Sequence, residues 1–472
     1  MAEEKFDTNH KALQINLDAT KYGTFAEIGA GQEVARWFFR VGGAAGTVAK
    51  TISAYDMAVS DAIYGPADRY VSRKRLQAML DYEFTLLLER LDKTRGDKST
   101  FFVFANTVAT RSYTRKEEGQ GWLGIKFQTQ PHSAPSQIMI HARLLDDENF
   151  REQEALGILG VNLIHGAFYH HTAPEKLIGA LLDGLTYKRI EVDMIKFSGP
   201  AFAGVDNRLM ALQLVQQWLT EAALFTADGE TVIPGELLYK KPVLLERGSF
   251  RPLTNPMLEM LTRAQEQFTR EKSLEGEPPV VMFEMTLRQL QIGNAIDHRD
   301  FIDRVDTLSA LGKPVLISNF LRYHRLLNYL SRHTQKPIGL PIGLVRLRDV
   351  LDEKFYTDLP GGLLESLGQL FKNDTKLYVY PSLDRKAGKL TTVENFEVEP
   401  HLRHLYAHLV ENHFVESIRN YNPDYLTIYS SNVLEKIQAG DDSLEKLVPS
   451  PIFQVIKNKR LFGWGEKAPP KT

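Results

Sequence analysis

Two stretches of this chain join a strand-like run to a turn and a helix start, the arrangement that phosphate sites use. In Leu244–Leu261 (LLERGSFRPLTNPMLEML) an apolar run leads into Gly248, Ser249 and Phe250, then Arg251, Pro252, Thr254 and Asn255 at a helix start. A glycine-containing loop at a helix N-terminus leaves backbone N–H groups free to hold an anion. In the second stretch, LTIYSSNVLEKIQAG, a strand over Leu426–Tyr429 meets Ser430 and Ser431 at another helix start. Serine there caps the helix, and its hydroxyl can also donate to an anion. Taken singly, each stretch is equally an ordinary capped helix. Arg247, Arg251 and Lys436 stand near the two turns and would add positive charge.

Other residues could do chemistry. Glu27-Ile28-Gly29-Ala30-Gly31 has the look of a glycine-rich methyl-donor loop, but no clear strand precedes it in the sequence. His165, His170 and His171 cluster in NLIHGAFYHH, without the spacing of a metal helix, and read best as a partly exposed loop. Glu191 and Asp193 alternate along a strand and so share one face. Arg111 and Tyr113 could form a small anion site. With no cysteine in the chain, thiolate catalysis, disulfides and cysteine metal sites are excluded. No metal site is assigned.

The two stretches together resemble the nucleotidylyltransferase family that includes nicotinate-nucleotide and pantetheine-phosphate adenylyltransferases. That family opens with G-x-F-D-P-x-[HT]-x-G-H and closes with I-S-S-T-x-I-R-x-x-I-x-x-G, followed by L-V-P and a last helix. Gly248, Phe250, Pro252 and Thr254 match the first pattern, and Ile428, Ser430, Ser431, Val433, Ile437 and Gly440 the second. Leu447-Val448-Pro449 match its tail with one residue inserted. The resemblance covers residues 240–472 and implies a Rossmann-like parallel sheet. It also implies ATP with Mg²⁺ as cofactor, and a nucleotide ligand held by Gly248, Ser249, Phe250, Thr254, Ser430 and Ser431.

The departures fall on polar functional positions. The family histidine that ends the first motif is Met257, which has no N–H to donate to developing charge. The family arginine of the second motif is Leu434, and the Asp of the family's I-G-x-D element is Val345, after Ile342 and Gly343. Loss of one such donor costs about 10²–10³ in rate. The expectation is therefore a nucleotidylyltransferase-like protein without standard adenylyl transfer, keeping at most nucleotide binding or a scaffold or regulatory role. The alternative is an active nicotinate- or nicotinamide-nucleotide adenylyltransferase with a rewired site, using Thr254, Arg251, Ser430 and Lys436. A second alternative is methyl transfer from S-adenosylmethionine by the first half.

These residues need elements to position them. From Leu238 onward, strand-like runs (KPVLLERG, PPVVMFEM, KPVLISN, KPIGLPIG, TKLYVYPS) alternate with amphipathic helices, which argues for βαβ crossovers and a parallel sheet. Such sheets bind ligands beyond the carboxyl ends of the strands, where the strand order reverses. Before Leu238 the pattern is mixed α/β, with long helices expected over Val71–Lys93 and Asn207–Phe225. The organisation expected is a flexible segment over 1–20, a mixed α/β domain over 21–238 and a Rossmann-like nucleotidylyltransferase-type domain over 239–472, with an insertion at about 384–422. The fold class is α/β.

Composition narrows the rest. The 472 residues carry 57 Lys+Arg against 59 Asp+Glu, a net charge of −2, so the basic excess of a general nucleic-acid binder is missing. No run of about 18 apolar residues occurs, and the start MAEEKFDTNHKALQ lacks the apolar core of a signal peptide. A soluble cytoplasmic protein is expected, with a homo-oligomer or another protein as the macromolecular partner.

Overall fold

The computed structural model describes residues 7–111, 118–384, 387–428 and 430–466, with backbone alone for 430–432. It divides into two compact units, Met1–Ala223 and Leu224–Thr472. The boundary thus falls before the stretch 224–238, which the sequence pattern places in the first half. Within the segment read as flexible, Thr8–Asn16 is helical.

The first unit is built on a six-stranded sheet ordered β2-β1-β3-β4-β5-β6. Its strands are β1 (Lys21–Ile28), β2 (Val48–Ile52), β3 (Thr100–Ala109), β4 (Gly119–Phe127), β5 (Ser136–Leu144) and β6 (Ile190–Ser198). β1 runs parallel to β2 and β3, and β3 to β6 form an antiparallel meander. Phe102 and Phe104 alternate onto one face of β3 and are fully buried with Phe25 and Phe127. The helix Asn149–Tyr169 covers that face. Its glycines let it sit flush: a Cβ at Gly160 would lie 2.3 Å from Val34 and 3.1 Å from Phe104. His165 therefore lies in a buried helix, whereas His170 caps its end and His171 follows in a half-buried turn. His165 meets Gln14 at 3.0 Å, and burial lowers its pKa to about 4, leaving it neutral at pH 7.

The helix expected over Asn207–Phe225 stops at Gln216. Trp218 takes a left-handed φ of 61°, and Ala222–Phe225 leaves as strand β7 of the second sheet. Sheet pairing there overrides a run of good helix formers.

The second sheet has eight strands, ordered β18-β15-β14-β9-β10-β13-β7-β8. After β7 come β8 (Thr231–Val232), β9 (Val243–Arg247), β10 (Val280–Thr286), the small hairpin β11 (Gln291–Ile292) with β12 (Ala295–Ile296), β13 (Val315–Ser318) and β14 (Ile338–Gly343). They are followed by β15 (Lys376–Tyr380), the hairpin β16 (Ser382–Asp384) with β17 (Lys389–Thr391), and β18 (Val415–Ser417). The run from β13 to β18 is parallel throughout. In chain order its strands lie 3-2-1-4-5-6, the doubly wound Rossmann-like order, and the strand order reverses between β9 and β14. The stretch read as an insertion thus contributes the sixth parallel strand, β18. The strand expected over Leu426–Tyr429 is absent among the described residues: Pro423–Thr427 is a 3₁₀ turn, opened by the Asn422 side chain accepting from the Asp424 N–H. Tyr429 lies outside the described residues. Among those described, no helix is long and apolar enough to cross a membrane.

The glycine-rich loop of the first unit does follow a strand, β1. Gly29 has φ 97°, and a Cβ there would strike the Val108 carbonyl oxygen at 1.8 Å. The helix Glu33–Arg40 begins beyond it, and two of its first amides are already used. The carboxylate of Glu27 accepts from Val34 N–H (3.1 Å), Ala35 N–H (2.9 Å) and Asn106 Nδ2 (2.9 Å). Burial pushes the Glu27 pKa from 4.5 up to about 7 against these bonds. The folded state therefore holds this proton more tightly than the unfolded chain. Its stabilising effect is complete below pH 4.5 and is lost as pH rises through about 7. A rise of that size corresponds to about 3 kcal/mol. Urea unfolding of the wild type between pH 4.5 and 8 should show this decline, and Glu27→Gln, which does not ionise, should lack it.

Candidate functional site

β9 ends in Arg247, whose guanidinium makes two hydrogen bonds to the buried carboxylate of Glu284 on β10, at 2.6 and 2.8 Å. Ser318, the last residue of β13, donates to the same carboxylate at 2.5 Å. Burial opposes the charge on Arg247, but the Glu284 carboxylate outweighs it and the guanidinium pKa rises. The ring of Tyr323 lies 4.5 Å from that guanidinium. Three neighbouring strands are thereby tied together at their carboxyl ends.

Above this pair opens a cavity of about 460 Å³. Four arginines line it: Arg247, Arg288 after β10, Arg322 after β13 and Arg346 after β14. Arg346 is paired with Asp349 at 2.9 Å, while Arg322 stacks over the Phe355 ring at 4.0 Å. Neither Arg288 nor Arg322 makes an ion pair with a described residue. Tyr323 and Tyr356 add aromatic surface, and Thr286 and Gln289 add polar groups. Guanidinium groups recognise phosphate and carboxylate by forked, charge-assisted bonds and stack on planar rings. The arrangement suits a ligand with an anionic group and a ring. Only Arg247 among these stood out in the sequence. The signal for the others is positional: an arginine lies within four residues of the end of each of the four strands.

The sequence-expected site residues lie around the turn after β9. Alternation along β9 directs Arg247 away from the face of Leu244, which with Phe268 crowds Gly339 from the side of the helix Asn255–Phe268. Gly248 extends the β9–β10 pairing through its N–H to Glu284 O (3.1 Å). A Cβ there would lie 2.7 Å from the Phe250 ring. Phe250 is fully buried, edge-on to Phe283 at 5.0 Å. The Ser249 carbonyl accepts from Arg304, and Arg251 is bound to Asp300 at 2.5 Å. Asp300 also accepts from buried Arg304 at 2.6 Å. Thr254 is buried before the helix Asn255–Phe268, and its side chain makes no capping bond.

The structure brings the two sequence motifs together. Asn255 N–H donates to Leu447 O at 2.9 Å, and Asn255 Nδ2 to Lys446 O at 3.0 Å. Pro256 has no N–H, so two of the first amides of this helix are unavailable to an anion. Lys436 is held by Asp441 (2.7 Å) and Ser443 (2.6 Å). Ser430 and Ser431 open the helix Ser430–Ala439, with their side chains outside the described residues. Glu246, on β9, is buried with one carboxylate oxygen unpartnered, and burial raises its pKa well above the usual range.

In the first unit, Glu191 and Asp193 share a face. Asp193 bonds His141 at 2.6 Å, and Glu191 bonds Arg143 at 2.5 Å and Thr220 at 2.6 Å. Both carboxylates are thus committed to partners, Asp193 in a buried pair and Glu191 in a partly buried one. Arg111 lies 3.6 Å from Asp147. Tyr113 is outside the described residues.

No family model matches the chain, and no curated protein sequence matches it. Faint likenesses to solved structures exist. Competence/damage inducible protein CihA from Agrobacterium tumefaciens is 17% identical over 35% of this chain and 97% of its own, with TM-score 0.26. A CinA superfamily protein from Enterobacter cloacae is 12% identical over 35% of this chain and 95% of its own, with TM-score 0.26. Plasmodium falciparum nicotinic acid mononucleotide adenylyltransferase, complexed with APC, is 10% identical over 48% of this chain and 98% of its own, with TM-score 0.27. Likenesses at these scores carry no argument about chemistry.

The cavity makes a direct prediction. Millimolar inorganic pyrophosphate should raise the melting temperature of the wild type, and Arg288→Ala/Arg322→Ala should abolish the rise. The effect should fade in about 1 M salt, where screening acts within ~3 Å.

Proposed function

We propose that the second unit is a nucleotidylyltransferase-like module that binds a phosphate-bearing mononucleotide but has lost standard adenylyl transfer. The observation that carries the reading is the four-arginine cavity at the carboxyl ends of β9, β10, β13 and β14, two of its guanidiniums making no ion pair with a described residue. A phosphate would meet Arg288 and Arg322, and a planar base would have Tyr323 or Tyr356 to rest on. Position supports it as well, because the cavity includes strands on both sides of the reversal in strand order.

The turn that the family resemblance assigns to ATP supports the loss of transfer. At the helix Asn255–Phe268 the first amide is bonded to Leu447 O, Pro256 supplies none, and Met257 stands where a donor is needed. These features argue against Mg-ATP being held at this turn. Arg251 and Lys436, the charges that a rewired enzyme would use, are committed to Asp300 and to Asp441 with Ser443. The module then acts by holding a nucleotide, as a scaffold or regulatory component.

The test is incubation of the purified full chain with Mg-ATP and each of nicotinate mononucleotide, nicotinamide mononucleotide and pantetheine phosphate. The expected result is calorimetric binding of a mononucleotide without pyrophosphate release. At 100 times the dissociation constant such a ligand stabilises the fold by about 2.7 kcal/mol. Robust pyrophosphate release would overturn the loss of transfer. Absence of any melting shift at millimolar ligand would overturn the binding.

A further inference from the structure

Most acceptor groups at the arginine cavity are already in use. Thr286 and Gln289 satisfy each other: the Gln289 side-chain oxygen accepts from the Thr286 N–H and from its hydroxyl, both at 3.0 Å. The Thr286 hydroxyl oxygen in turn accepts from the Gln289 N–H at 3.3 Å. Below them, the Glu284 carboxylate is taken by Arg247 and Ser318.

Asp349 is different. Among the described residues it is the one carboxylate that lines the cavity. It stands in the helix Leu344–Leu351, three residues after Arg346, so the two side chains are neighbours on one face. Arg346 holds Oδ2 at 2.9 Å, and Oδ1 makes no hydrogen bond with a described residue. The Tyr356 hydroxyl donates to the Val350 carbonyl at 2.9 Å and lies 3.5 Å from the Asp349 carbonyl, so Asp349 stands beside that tyrosine. A carboxylate repels an anionic group and accepts hydrogen bonds without donating any. The phosphate of a ligand therefore goes to Arg288 and Arg322, and Asp349 is left for a part of the ligand that donates.

We infer that Asp349 selects the sugar of the ligand, favouring a ribonucleotide over a 2′-deoxyribonucleotide; the inference rests on mononucleotide binding at this cavity. Every ribonucleotide carries two neighbouring hydroxyls on the sugar that joins its phosphate to its base, whatever the base. Both hydroxyls donate, and the free lone pairs of a carboxylate accept from such a pair. A 2′-deoxy sugar keeps only one of them. A hydrogen bond to a charged acceptor corresponds to about tenfold in affinity or more.

The test is calorimetry on the full chain with ribose 5-phosphate and 2-deoxyribose 5-phosphate, which carry the phosphate and sugar of a nucleotide without a base. The wild type is expected to bind the ribose compound about tenfold more tightly. Asp349→Ala should weaken the ribose compound by about tenfold and leave the deoxyribose compound no weaker, since Arg346 is then released. Asp349→Asn, which keeps an uncharged oxygen acceptor, should fall between the two. The melting temperature of both variants should stay close to that of the wild type, because an exposed ion pair of this kind contributes little. A merely structural role for Asp349 would weaken both sugars alike. Equal binding of the two sugars by the wild type, or equal weakening of both by Asp349→Ala, overturns the inference and leaves phosphate binding at the cavity standing. Failure of ribose 5-phosphate to bind at millimolar concentration also overturns it, and the mononucleotide reading falls as well only if no mononucleotide binds.

Discussion

The two hydrogen bonds between Arg247 and Glu284 fix the geometry on which the second unit's site depends. Both side chains are buried, so each charge is tolerable only because the other is present, and separation would leave an ion in a poorly solvating interior. The pair bridges the first two parallel strands, and Ser318 extends it to the third. The strand ends are therefore held at one level, and the arginines that follow them in the next loops converge on one cavity. The cavity is a consequence of register: an arginine shortly after each strand becomes a cluster once the ends are aligned.

The opposite side of β9 shows the reverse development. There the turn Gly248–Thr254 has become structural. Phe250 is sealed into the interior, the Ser249 carbonyl and Asp300 are bound by Arg304, and Arg251 is drawn to Asp300. A turn that must cradle phosphate keeps donors uncommitted. In this one the Arg251 guanidinium and the Asn255 amide serve the protein itself. The glycine turn after β1 in the first unit follows the same course, with Glu27 placed where an anionic ligand would otherwise meet the helix amides.

Much of the second unit was legible in its sequence, because parallel strands buried on both faces read as apolar runs separated by amphipathic helices. The strands ending at Arg247, Thr286, Ser318, Gly343 and Tyr380 all follow from that pattern. The sixth parallel strand did not, since Val415–Ser417 is too short to show periodicity. Of Leu426–Tyr429, richer in strand formers, Leu426 and Thr427 instead end a 3₁₀ turn that Pro423 and the Asn422 side chain open. In the first unit, Gly157, Gly160 and Asn162 look like interruptions of the helix that ends in the histidines. Glycine there allows close contact, and Asn162 is satisfied by Lys11 and two carbonyls. The cavity was hidden for a different reason. Single arginines scattered between residues 247 and 346 carry no local pattern, and only the strand order makes them neighbours.

The contact between Asn255 and the 446–447 turn has a consequence for how the molecule is made. It closes a loop of 191 residues, and the turn it uses lies close to the end of the second unit. During synthesis the helix Asn255–Phe268 emerges long before the carbonyls that complete its first turn. Contacts so distant along the chain form late and slow the folding of the domains that need them. Until residues 446 and 447 have been made, the first amide of that helix has no Leu447 carbonyl to meet.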